Sequence, residues 1–118
     1  MRQAYAHEAT LILPSEADER APGAVVTVAL CGHWEHDPPC PLAPHQTLAE
    51  RDGGELRVRI LFATEPEDER EVRRRIDLAL SGQWPLPGDL TAAWQLTGSR
   101  PSEVATAEQA QAGRLISN

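Results

Sequence analysis

Residues 55–82 read ELRVRILFATEPEDEREVRRRIDLALSG, and two hydrophobic periods meet inside that stretch. From Glu55 to Ala63 the side chains Leu56, Val58, Ile60 and Phe62 alternate with Glu55, Arg57 and Arg59. A period of two places one face of a strand on a core and turns the other outward. Beyond Thr64 the period lengthens, and Val72, Ile76, Ala79 and Leu80 recur as the apolar stripe of a helix. Thr64 and Glu67 have the spacing of a capping box, Pro66 suits a first helical turn, and the acids at 65, 67, 68 and 69 sit where the helix dipole favours negative charge. Glu69/Arg73 and Glu71/Arg75 are spaced for ion pairs along the helix, and Ser81-Gly82 supplies a stop. The stretch predicts a strand that runs directly into one long amphipathic helix.

Working outward, Ala6 to Leu13 predicts a first strand with Ala9, Leu11 and Leu13 on one face. Pro14 to Gly23 is polar and turn-forming, which reads as a hairpin loop. Ala24 to Trp34 is rich in β-branched residues and predicts a second strand, with Cys31 and His33 projecting to the same side. Residues 35–54 carry prolines at 38, 39, 41 and 44 and end in Asp52-Gly53-Gly54, so they predict a long stiffened loop. A proline and glycine linker follows the helix, and Leu90 to Thr97 alternates as a fourth strand. The small, polar segment 99–118 predicts a mobile or weakly helical tail, with Pro101 to Ala112 its helical part.

The order β-β-loop-β-α-β defines an α+β fold: a four-stranded, mostly antiparallel sheet with one long helix on one face, a two-layer sandwich. Residues 1–98 form the single domain, and strand three, helix and strand four form a right-handed crossover. The uncovered face is expected to display Thr10, Thr27, Cys31, His33, Arg57, Arg59 and Gln95. Trp84 and Trp94 are expected to anchor a core or an interface.

Composition narrows the function classes. At 118 residues with 41% apolar and 25% charged side chains, the chain suits one modest core. A net charge of -7 disfavours nucleic acid and anionic membrane as partners, because both carry the same sign. All 11 basic residues are arginine, which removes the Schiff-base and phosphate-loop lysines from the possible chemistry. No apolar stretch is long enough to span a bilayer, and the N-terminus lacks a basic region followed by an apolar run. The expectation is a cytoplasmic protein whose two cysteines serve as thiols or metal ligands rather than as a disulfide.

One segment concentrates chemistry. Both cysteines and three of the four histidines fall between Cys31 and His45. Thiolate and imidazole are the side chains best suited to zinc and similar ions, so Cys31, His33, His36, Cys40 and His45 are five candidates for four tetrahedral positions. Glu35 or Asp37 could orient an imidazole. The spacing C-x-H-x2-H-x3-C-x4-H is not that of a paired finger. A metal-free alternative packs Trp34, Pro38 and Pro39 in a loop whose histidines only hydrogen-bond, with Cys31 a small buried hydrophobe.

Three functions compete on these grounds. The first is a small zinc-binding accessory or interaction domain. The second is a small metal-dependent or thiol enzyme that uses the same residues with one position left for water, Glu35 or Asp37 being the base. The third is a metal-free interaction domain that dimerises through its open sheet face.

Overall fold

The computed structural model describes residues 1–15, 17–31, 43–82 and 94–117, with the side chain of Cys31 left out. It comprises β1 (Gln3–Ile12), α1 (Ala21–Cys31), β2 (His45–Asp52), β3 (Glu55–Thr64), α2 (Glu69–Leu80), β4 (Gln95–Ser102) and α3 (Gln109–Ser117). Short 3-10 turns at Pro66–Asp68 and Thr106–Glu108 lead into α2 and α3. The strands form one sheet in the order β2-β3-β1-β4, and each neighbouring pair is antiparallel. The α+β class and the four-stranded antiparallel sheet are those read from the sequence.

Because every adjacent pair is antiparallel, strands two apart in the sheet are parallel. β1 and β2 flank β3, and β3 and β4 flank β1. The chain therefore makes two interlocked βαβ units through α1 and α2, the strand order and directions of the ferredoxin-like, split-βαβ arrangement. The expected crossover from strand three through the helix to strand four is one of these units.

The elements within this frame differ from the sequence reading in three places. Residues 21–31 form a helix rather than a strand. The segment carries no polar side chain except Thr27, so strand and helix periods fit it equally well, and the β-branched run Val25 to Val28 tips the sequence toward a strand. Three-dimensional context overrides that bias of a few tenths of a kcal/mol per residue, roughly. The start is marked locally: the Arg20 amide donates to Asp18 Oδ1 at 2.9 Å, the Ala21 amide to the Asp18 carbonyl at 3.1 Å, and Pro22 sits in the first turn. Val25, Val26, Ala29 and Leu30 are all buried, as befits a helix apolar on most sides.

The second difference is β2, which runs through the end of the segment expected to be loop. Asp52 and Glu55 close a tight hairpin around Gly53 and Gly54, and Gly53 has φ +62°, a left-handed backbone that glycine adopts without steric cost. Arg51 fastens the hairpin to the end of β1 by donating to the carbonyls of Leu13 at 3.2 Å and Pro14 at 2.9 Å. The third difference is at the C-terminus, where β4 extends to Ser102 and α3 spans 109–117. The polar residues of that segment gave no strand signal, whereas pairing with β1 satisfies its backbone.

The α2 region keeps its predicted stripe. Val72, Ile76, Ala79 and Leu80 are buried, Glu69/Arg73 and Glu71/Arg75 pair at 2.8 and 2.9 Å, and Gly82 has φ +86° just past the end. The capping box does not form: Thr64 is buried at the end of β3, and the 3-10 turn starts the helix without a side-chain cap. Trp94 packs against the core as expected and donates its indole N–H to the Leu80 carbonyl at 2.8 Å, one of the acceptors that a helix end leaves open. Trp84 lies outside the described residues.

α1 and α2 lie on one face of the sheet over Leu11, Leu56, Val58, Ile60 and Phe62. α3 covers one end of the opposite face, where Leu115 packs on Ala6, Leu61 and Ala63. Arg59 holds this second layer. Its guanidinium donates to Glu108 at 2.7 Å, Glu8 at 2.6 Å, Ser102 at 2.9 Å and the Glu103 carbonyl at 2.6 Å. Hydrogen bonds from Arg59 hold the Glu108 carboxyl below its ordinary range, and Arg100 above all, with Arg59, does the same for Glu8. Among the described residues, no helix is long and apolar enough to cross a membrane.

Candidate functional site

The helical form of residues 21–31 changes where the metal-ligand candidates stand. Cys31 is the last residue of α1 and does not share a strand with His33. Thr27 and Cys31 consequently leave the open sheet face to which the sequence assigned them, whereas Thr10, Arg57 and Arg59 remain there, and Gln95 is in register with the exposed Ile12. His33, His36 and Cys40, with the proposed helpers Glu35 and Asp37, lie outside the described residues. His45 opens β2, on the face that packs against α1.

α1 and β2 meet through Gly23 and Thr27 on the helix and His45 and Thr47 on the strand. A β-carbon at Gly23 would lie 3.4 Å from the Thr47 methyl, in ordinary van der Waals contact, so the helix lies directly against the strand here. Gly23 and Thr27 are four apart and share one side of the helix, and Cys31 ends the helix one turn further on. His45 reaches that side: its Nε2 lies 3.0 Å from Thr27 Oγ1, and its Nδ1 lies 3.2 Å from the Ala43 carbonyl. The carbonyl can only accept, so Nδ1 carries a proton, and in the neutral ring Nε2 is the acceptor that faces Thr27. Thr27 Oγ1 is also 3.1 Å from the Gly23 carbonyl, which gives its proton a second acceptor when Nε2 is otherwise engaged.

The fourth histidine builds a different constellation. His7 faces the helices from β1 with its side chain only 3% exposed. Arg73 Nη1 donates to His7 Nδ1 at 3.0 Å and to the Ala6 carbonyl at 2.8 Å, while Arg73 Nε pairs with Glu69. A guanidinium can only donate, so the imidazole proton sits on Nε2 and is given to Ser99 Oγ at 2.7 Å. The Ser99 hydroxyl in turn donates to Asp77. Serine, histidine and aspartate are thus together, but not as a nucleophile relay. In a relay the acid holds the histidine nitrogen remote from the serine. Here Asp77 lies 3.5 Å from the nitrogen that already faces the serine, and an arginine occupies the other.

Burial, foremost, and the nearby Arg73 guanidinium lower the His7 pKa below its ordinary value, and Asp77 offsets only part of this. The sign of the pH effect follows. A base whose folded pKa is depressed contributes stability that is complete above its unfolded pKa, about 6.5, and is lost as pH falls toward the folded value. Unfolding free energy measured by urea titration should therefore fall below that pH by up to about 1.4 kcal/mol per unit from this group. The variant His7→Gln should lose the dependence in the interval above the carboxylate range; an unchanged slope would remove His7 as its source.

The sequence reading passed over His7 because it counted only clustered donors. Its signal lay in phase: residues 7, 9 and 11 alternate together, so a histidine stood on the face that alternation assigns to the core. Among the described residues no group of three or more histidine, cysteine, aspartate or glutamate side chains is placed to hold a metal ion. The chain matches no protein-family model, no curated protein and no solved structure. Its class is accordingly defined by the fold alone: an α+β domain of two interlocked βαβ units.

Proposed function

We propose that this chain is a small metal-binding domain, with zinc the ion its donor set suits, acting as an accessory or interaction module in which the ion ties the segment after α1 to the start of β2. The ligands are four of Cys31, His33, His36, Cys40 and His45. The observation that carries the reading is the state of His45. Its Nδ1 faces a backbone carbonyl, the usual outer partner of a metal-bound histidine, which supports Nε2 as the donor nitrogen. That nitrogen points at Thr27, one helical turn before Cys31, which supports a site shared by the two ends of the donor-rich segment. A bound ion would take the place of the Thr27 hydroxyl at Nε2, and the hydroxyl retains the Gly23 carbonyl as its acceptor.

Elemental analysis of untagged protein, with a thiol count on the same sample, tests this. One equivalent of ion per chain is expected, with both thiols protected until a chelator is added and the melting temperature falling on chelation. The variants Cys40→Ser and His45→Gln should each lower the ion content. An ion-free, folded protein with two freely reactive thiols would contradict the proposal.

A further inference from the structure

The two edges of the sheet are β2 and β4. Alternate residues of an antiparallel strand bond to each neighbour, so the register settles which backbone groups an edge leaves open. The Ala63 amide donates to the Pro44 carbonyl, and the same parity bonds Gln46, Leu48, Glu50 and Asp52 to β3. The N–H and C=O groups of Thr47, Ala49 and Arg51 therefore point away from the sheet, where no described residue meets them. Carried across β3 and β1, that parity turns Ser99 and Pro101 outward on β4. Pro101 has no N–H to offer, and the register with β1 skips Thr97, two features that spoil an edge for further pairing. β2 has neither. Leu48, Ala49 and Glu50 at its middle are exposed, Leu48 by 43%.

We propose that the open edge of β2 pairs antiparallel with β2 of a second copy of this chain, about a two-fold axis normal to the sheet at Leu48, so that the two sheets run on as one. Parity allows this centre. Thr47 exchanges backbone hydrogen bonds with Ala49 of the partner subunit, and Ala49 with Thr47 of the partner subunit. Leu48 meets Leu48 of the partner subunit in a pair without backbone bonds, the kind that brings side chains closest. The open face is complementary under the same operation. Glu50 and Gln46 have no partner among the described residues, and the axis sets Glu50 opposite Gln46 of the partner subunit. An amide donor thus meets a carboxylate, and the symmetry makes the pair twice. Like charges stay apart. The two copies of Glu50 stand about 14 Å from each other along the seam, and the hairpin tips, with Asp52 and Glu55, lie at opposite ends about 27 Å apart. Both distances exceed the roughly 10 Å over which exposed charges act in salt. A foreign strand would have to supply this order of side chains, whereas β2 itself carries it.

Sedimentation equilibrium of the untagged full chain should find a dimer. Within it the amide protons of Thr47 and Ala49, which face no acceptor among the described residues of their own chain, should exchange slowly with solvent. Ala49→Pro removes a donor from the outer edge and leaves the bonds to β3 in place, so dimerisation should weaken by about tenfold or more, two bonds being lost about the axis. Position 46 gives a graded test. Gln46→Glu should weaken dimerisation and Gln46→Arg should tighten it, each by about two- to thirtyfold, because the carboxylate of Glu50 of the partner subunit is repelled or paired twice. Circular dichroism and the melting temperature establish that each variant is folded. A wild-type chain that stays monomeric, its edge left bare or given to a foreign strand, would overturn the proposal. So would rapid exchange of both amides from the dimer, a dimer indifferent to A49P, or two changes at position 46 that move the affinity in the same direction.

Discussion

Truncating Phe62 to alanine should lower the unfolding free energy by about 3–5 kcal/mol, the largest loss expected of any single change considered for this domain. Phe62 is fully buried beneath both helices, stacks on Tyr5 with ring centroids 5.4 Å apart, and lies under the Arg73 guanidinium at 5.2 Å. The substitution leaves a cavity between the sheet and the layer formed by α1 and α2, and rigid strand neighbours on both sides limit how far the site can collapse. Urea denaturation followed by circular dichroism should show a lower midpoint at an unchanged slope. A loss below about 1 kcal/mol, the level of an ordinary surface change, would mean that the core is not organised around this ring.

The second large effect belongs to Arg73→Met, expected to cost about 2–3 kcal/mol because hydrogen bonds from a charged donor are lost and their acceptors are left behind. Methionine preserves much of the apolar stem that lies over Tyr5 and Phe62 while removing the bonds to the Ala6 carbonyl, His7 and Glu69. A second readout separates this role from simple packing. Arg73 is one of the groups that keep His7 neutral, so without it the His7 pKa should rise part of the way toward its ordinary value. The acid-side loss of stability should then become shallower, since it scales with the difference between unfolded and folded pKa values. An unchanged His7 titration, followed by NMR, would show that Arg73 does not act on the ring.

How far the sequence revealed the fold depended on whether local pattern and three-dimensional setting agreed. β3 and α2 were legible residue by residue because each has a buried and an exposed side: Leu56, Val58, Ile60 and Phe62 are buried, as are Val72, Ile76, Ala79 and Leu80. α1 was not, because a segment buried on most sides has no polar residues to reveal its period. β2 was missed for the opposite reason. Its sequence, HQTLAERD, is polar on an edge strand, and its strongest signal, the Asp-Gly-Gly turn before β3, fits the end of a loop as well as the bend of a hairpin. The register between β2 and β3, which sets Glu50 against Arg57, exists only once that hairpin is recognised.

The candidate site divides in the same way. Composition singled out the segment from Cys31 to His45, but the setting of its two described ends depends on a helix that the sequence did not disclose. Only with α1 helical does Thr27 meet the His45 ring one turn from Cys31. Glu71, hydrogen-bonded by Arg74 and Arg75, has its carboxyl pulled down to about 2, so this pairing on the outer side of α2 persists well into acid.

The central claim is that His45 is a ligand through Nε2. Nitrogen NMR of the imidazole, recorded on the full chain before and after stoichiometric zinc, addresses it directly. The His45 Nε2 resonance is expected to move to the position of a metal-bound nitrogen while Nδ1 keeps its proton. Nitrogen signals of His45 that stay unchanged at saturating zinc would contradict it.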